Sequence, residues 1–228
     1  MDAISAVFLA RDHRSFLAAS EKLLLVWMAE RLPSWVSSDH LTLLGLGGML
    51  MAGLAYAVAG WSDWALGLVV VALAVNWLGD SLDGTLARVR HQERPRYGYY
   101  VDHVLDLVGT CFLLAGLAYS PFMHPIVALC LLVAYVLVMA ETFLGASAHG
   151  VFRMSSLGFG PTELRIVLAI GTLALLRDPR VDLRGFGTYR LFDVGGVVAT
   201  VGLTLTFIIC AVRNTQALYR AEPLDRQG

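Results

Sequence analysis

Six long apolar runs dominate this chain: residues 41–60, 65–88, 98–119, 126–148, 162–176 and 194–212. In a bilayer a segment of this kind must satisfy its own backbone hydrogen bonds, so each run reads as a helix. Polar connections separate them; Pro121 and Pro125 break the chain between the third and fourth, and Pro33 ends the helix that precedes the first. Composition agrees: 57% of residues are hydrophobic, only 15% are charged, and mean hydropathy is +0.66. A soluble domain would carry about a quarter charged residues. The expected fold is therefore all-α and integral to the membrane, with six transmembrane helices. Residues 16–32 read as an amphipathic N-terminal helix lying at the interface, with Trp27 as its anchor. The domain reading is one membrane unit over 1–228, an interfacial arm at 1–33 followed by a six-helix bundle at 41–214. Charged residues interrupt positions 1–31, so no cleavable signal peptide is expected. Gly45, Gly47, Gly48 and Gly53 in the first run suit close helix packing.

The cations set an orientation. With both termini cytoplasmic, thirteen of the 17 Lys and Arg side chains fall on inner segments. The other four, Arg177, Arg180, Arg184 and Arg190, share one outer connection. That asymmetry favours both ends inside. The formal net charge of −1 gives no field for nucleic acid, so none is expected as a partner. Cys111, Cys130 and Cys210 lie singly in apolar runs, without metal-site spacing, and read as small core residues.

Between the second and third runs the pattern breaks. Residues 80–106 hold Asp80, Asp83, Gly84, Ala87 and Arg88, then Gly98, Asp102 and Asp106. Carboxylates at membrane depth are costly, and by default they mark a functional site. Asp80 and Asp83 share one helix face, and Asp102 and Asp106 share another. If the two helices meet, four carboxylates converge, and they stay ionised together only beside cations. An all-oxygen set suits hard ions, Mg2+ or Mn2+, rather than zinc. Two such ions on a phosphate suit phosphoryl transfer to or from a lipid. Asp80, Asp83 and Asp102 would hold them, with Asp106 shared between metal binding and proton abstraction. Gly84 and Ala87 leave one face low for a close ligand, and Arg88 can pair with a phosphate. Asn76, one turn before Asp80, could meet a metal-bound group or bridge two helices.

These residues resemble the signature of the CDP-alcohol phosphotransferase family, Asp-x2-Asp-Gly-x2-Ala-Arg-x8 or 9-Gly-x3-Asp-x3-Asp. Every fixed position is filled, and eight residues at fixed spacing make a specific signal. The resemblance implies a membrane enzyme in which an acceptor hydroxyl attacks a CDP-linked alcohol and CMP leaves. It implies two divalent cations on the aspartates, Asp106 as base, and Gly84, Ala87, Arg88 and Gly98 around the CDP group. It also allows a homodimer. Partners would be the CDP-alcohol, a lipid or polar alcohol, and membrane lipids. One branch of the family moves a phosphatidyl group from CDP-diacylglycerol; the other moves phosphocholine or phosphoethanolamine to a diacylglycerol-like lipid. His103, directly after Asp102, looks like the second branch and is a catalytic candidate. Glu163 points the same way as a substrate contact. Leu107 stands where the inositol-phosphate type usually has Arg.

Other polar residues have plainer readings. Glu141, inside the fourth run, suits an ion pair with a cation such as Arg165. Thr162 suits an N-cap for the fifth run. Arg90, Arg94 and Arg96 serve as a topology signal or steer phosphate. A different class, an ion or proton transporter, also buries carboxylates in the bilayer. Such proteins tend to carry internal repeats and broken helices, and this chain shows neither.

Overall fold

The computed structural model describes residues 18–149, 161–183, 185 and 187–222. Among them the chain forms seven helices and one hairpin: α1 (Ala18–Ala29), α2 (Ser38–Val58), α3 (Trp64–Val89), α4 (Pro95–Tyr119), α5 (Pro125–His149), α6 (Pro161–Leu175), β1 (Arg180–Leu183), β2 (Gly187–Arg190) and α7 (Leu191–Ala221).

Five of the helices, α2, α3, α4, α5 and α7, are long and apolar enough to cross a membrane. Among the described residues the run expected at 162–176 forms the 15-residue α6, shorter than the five candidate spans. Its first helical residue is Pro161, so Thr162 lies inside the first turn rather than at the N-cap expected for it. The polar connection at 177–193 also differs from expectation, because it contains the two-stranded antiparallel hairpin that departs from a purely helical fold. Val181 pairs with Tyr189 and Asp182 with Thr188, and Gly187 supplies a left-handed φ of 102°.

Three helices form the centre. Ser37 caps α2: its Oγ accepts from the His40 amide at 3.3 Å, and His40 Nδ1 accepts from the Ser37 amide at 3.1 Å. The α2 and α3 backbones touch where Gly79 lies on Leu41 and Gly45; a Cβ at Gly79 would sit 2.5 Å from the Gly45 nitrogen. On the opposite side Gly116 of α4 lies against Gly53 of α2, where any side chain would collide with the Gly53 carbonyl. Leu66, Val69, Leu73, Leu113 and Leu117 fill the core between these helices.

The outer helices are attached differently. α6 packs on α3 and reaches α2 through Tyr56, whose hydroxyl lies 2.5 Å from Thr172 Oγ1. α5 packs on α4 and α7. Only 6% of the apolar window of α7 is buried, against 44% for α3, so the other described residues leave most of the α7 surface uncovered. Cys111 and Cys130 are exposed rather than in the core expected for them, because each sits on an outward face of its helix.

α1 tucks Leu25 and Ala29 against Leu82 and Leu86 of α3, and Glu21 Oε1 accepts from Trp77 Nε1 at 3.0 Å. Leu23, Leu24 and Trp27 point outward, so its apolar residues occupy more than the single stripe expected of an amphipathic helix. Arg90 fastens the connection after α1 by donating to the carbonyls of Leu32 at 3.0 Å, Pro33 at 2.9 Å and Val36.

The turn between α3 and α4 separates the halves of the aspartate motif. α3 ends in a Schellman arrangement, with the His91 amide donating to Arg88 O at 3.2 Å and the Gln92 amide to Ala87 O at 2.9 Å. His91 takes the left-handed position, φ 54°, that glycine usually fills. Pro95 then opens α4 at its first turn.

Candidate active site

α3 carries Asp80 and Asp83 in its last third, and α4 carries Asp102 and Asp106 in its first half. The reversal at 90–94 brings these faces together. One carboxylate oxygen each from Asp80, Asp102 and Asp106 lies within 4.8 Å of the other two, and all three residues are half-buried. Asp83 falls outside this trio. Its Oδ2 accepts from Thr42 Oγ1 of α2 at 2.7 Å, and its Oδ1 accepts from the Gly84 amide at 2.5 Å. Ser38 Oγ adds a bond to the Asp83 carbonyl at 3.0 Å. A pocket lined by Thr42, Gly45, Asn76 and the three carboxylates adjoins the cluster.

Three carboxylates so close repel one another unless cations intervene. The donor set is all oxygen, so the chemistry of the residues present fits a hard cation such as Mg2+ or Mn2+. Arg165 of α6 brings a cation to the cluster. Its Nη2 lies 2.7 Å from Asp80 Oδ2, and its Nε donates to Asn76 Oδ1 at 2.6 Å. Asn76 is buried and donates through Nδ2 to Gly45 O at 2.9 Å. Asn76 thus bridges helices, and it also positions a charged side chain.

The pairing expected between Glu141 and Arg165 does not form. α6 packs on α3 and carries Arg165 to Asp80. α5 packs on α7, where Glu141 Oε1 accepts from Asn214 Nδ2 at 2.5 Å. Sequence spacing gave no sign of Arg165 at the cluster, although a cation inside an apolar run was a signal that it had a partner. Tyr135 of α5 was also missed; it lies within electrostatic reach of Asp106, Arg165 and Asp80.

His103 is buried on the α5 side of α4. Its Nδ1 lies 2.8 Å from Tyr99 O and 3.7 Å from Asp102 Oδ2. Its ring sits between Tyr99, at 4.2 Å, and Phe143, at 5.6 Å. The side chain of Glu163 lies outside the described residues.

A second cleft, about 380 Å3, lies at the motif turn, lined by Ala87 with Ser37, Ser38, Leu86, Gln92, Glu93 and Arg94. Gly84 leaves its face low, with Arg88 Nη1 as the nearest atom a Cβ would meet, at 3.5 Å. Arg88 is exposed and donates to Thr85 Oγ1 at 3.1 Å. Gly98 is exposed, with open space where a side chain would go. Of the loop cations, Arg90 is committed to backbone carbonyls. Arg94 pairs with Asp39 Oδ1 at 2.5 Å and lies over the Tyr97 ring at 4.2 Å. That hydrogen bond raises the Arg94 pKa further, so the group is charged at any working pH.

A family model described as CDP-alcohol phosphatidyltransferase matches residues 35–212, from just before α2 into α7. The chain belongs to the CDP-alcohol phosphatidyltransferase family. No curated protein matches it. Membership makes it a transferase of phosphate-containing groups in phospholipid synthesis, in a family that uses divalent metals. The match spans the carboxylate cluster, the motif turn and Arg165, while α1 lies before it. In this member of the family the acidic residues lie where α3 and α4 meet.

Proposed function

We propose that this protein joins an acceptor alcohol to the phosphoryl group of a CDP-alcohol and releases CMP. The reading rests on one observation above all: carboxylate oxygens from both halves of the motif converge within 4.8 Å. Asp80, Asp102 and Asp106 would hold divalent cations, with Asp83 beside them, oriented by Thr42. Two Mg2+ or Mn2+ ions would neutralise the diphosphate and stabilise the charge on the leaving group. Asp106 accepts the proton of the acceptor hydroxyl as its oxygen bonds to the phosphorus distal to the cytidine. The bond from that phosphorus to the bridging oxygen breaks, and the electron pair leaves with CMP.

The cleft at Ala87 takes the nucleotide. Gly84 lets it approach the α3 backbone, Arg88 pairs with phosphate, and Gly98 keeps the opposite helix clear. His103 is the second catalytic residue in this scheme, beside Asp102, with its Nδ1 2.8 Å from the Tyr99 carbonyl and 3.7 Å from Asp102 Oδ2. Donors are CDP-diacylglycerol with a polar acceptor, or CDP-choline or CDP-ethanolamine with a diacylglycerol-like lipid. Glu163 is a substrate contact in this scheme. α6 completes a six-span bundle, with both termini and the cluster on the cytoplasmic side and α1 at the interface. A homodimer is compatible with this arrangement.

A substrate panel tests the reading. Purified protein in Mn2+ or Mg2+ should release CMP from one donor class in the presence of its acceptor, and EDTA should stop it. Metal-independent release, or no release from any CDP-alcohol, would remove it.

A further inference from the structure

The strongest feature that the proposed chemistry leaves unused is Arg165, a guanidinium inside the bundle with two different partners. Its side chain is only 13% exposed. Nε donates to the Asn76 amide oxygen, and Nη2 donates to Asp80 Oδ2. Asn76, itself buried, is fixed by its bond to the Gly45 carbonyl. A chain of hydrogen bonds thus runs from the α2 backbone through Asn76 and Arg165 to one carboxylate of the cluster. It joins α2, α3 and α6. The planar guanidinium offers donors at a fixed spread, so both bonds form at once only if Arg165 and Asp80 keep one relative geometry. Asp80 retains further lone pairs for a cation.

We infer that Arg165 is a positioning residue for the cation site: with Asn76, it holds the Asp80 carboxylate in the orientation that a divalent ion needs. This rests on the reading of the cluster as a metal centre. Outer partners of ligating carboxylates commonly change metal affinity 10–100-fold when removed. Two charge-conserving variants isolate geometry from electrostatics. Arg165→Lys keeps the cation but cannot make both bonds. Asn76→Ala keeps every charge and removes the anchor.

The experiment is a Mn2+ titration of the full-length protein in detergent, without substrate, followed by electron paramagnetic resonance. Wild type should bind Mn2+, and Asp102→Asn should lose it; failure of either result counts against the metal centre itself. Granted that centre, each variant should weaken Mn2+ binding roughly 10–100-fold. Turnover should recover toward wild type as Mn2+ is raised, with KM for the CDP-alcohol little changed. Wild-type Mn2+ affinity in both variants would overturn the inference. So would an activity loss that added metal fails to rescue while KM for donor or acceptor rises, because Arg165 would then be a substrate ligand. If Asn76→Ala does not fold, Arg165→Lys alone decides between these outcomes.

Discussion

Asp106 has the most exacting role proposed for a single residue. If it takes the acceptor proton, Asp106→Asn should lower kcat by about 10²–10⁴-fold, read as CMP release at saturating Mn2+. A loss below tenfold would move the base elsewhere. Asp83 gives a contrasting case, because it is oriented by a hydroxyl on another helix. Thr42→Val keeps the shape and removes the bond to Asp83 Oδ2. It should raise the Mn2+ concentration for half-maximal activity by about tenfold, in the range typical of lost outer partners. At His91 the left-handed backbone is occupied by a residue with a Cβ. His91→Gly should leave activity intact and raise stability by about 0.5–1 kcal/mol, measured as a higher Tm in detergent. A lower Tm would mean that the imidazole makes compensating contacts.

At the scale of the element, the site depends on how closely α2, α3 and α4 approach. Gly79 and Gly116 let backbone lie on backbone at the two contacts of α2. Gly79→Leu should cost roughly 1–3 kcal/mol or more through overpacking, seen as a lower Tm and a smaller detergent-extracted yield. It should also reduce activity, because it lifts α3, and with it Asp80, away from Gly45 and Thr42. Gly195, which meets nothing in the bundle, is the control: Gly195→Leu should be close to neutral. The helices themselves were legible from apolar runs and breakers, to within three residues at each end for α2 to α6, while α7 runs nine residues past the expected end of its run, to Ala221. The hairpin at 180–190 was not, since β1 and β2 are four residues each and too short for alternation to stand out. The motif turn fell in the polar stretch between the second and third apolar runs, but its Schellman geometry was hidden because His91 stands where glycine would have announced it.

For the whole molecule, the proposed orientation places the turn at 90–94 and the hairpin on opposite sides of the membrane. In a background with Cys111, Cys130 and Cys210 replaced by alanine, cysteines at Gln92 and Thr188 should separate under an impermeant maleimide. Thr188→Cys should label in intact cells and Gln92→Cys only after permeabilisation. The reverse result would invert the protein. The amino-acid order alone determined the membrane class, the helical runs and the family, because hydrophobic length and an eight-residue signature are local properties of the chain. It also marked two helix faces, each carrying a pair of aspartates. Folding in three dimensions decided that three of the four converge, that Asp83 turns to Thr42 of α2, and that Arg165 reaches Asp80 while Glu141 turns to Asn214. Those partners lie 41 to 85 positions apart in the chain. Which side chains meet over such separations depends on which helix packs beside which, and no local spacing encodes that neighbourhood.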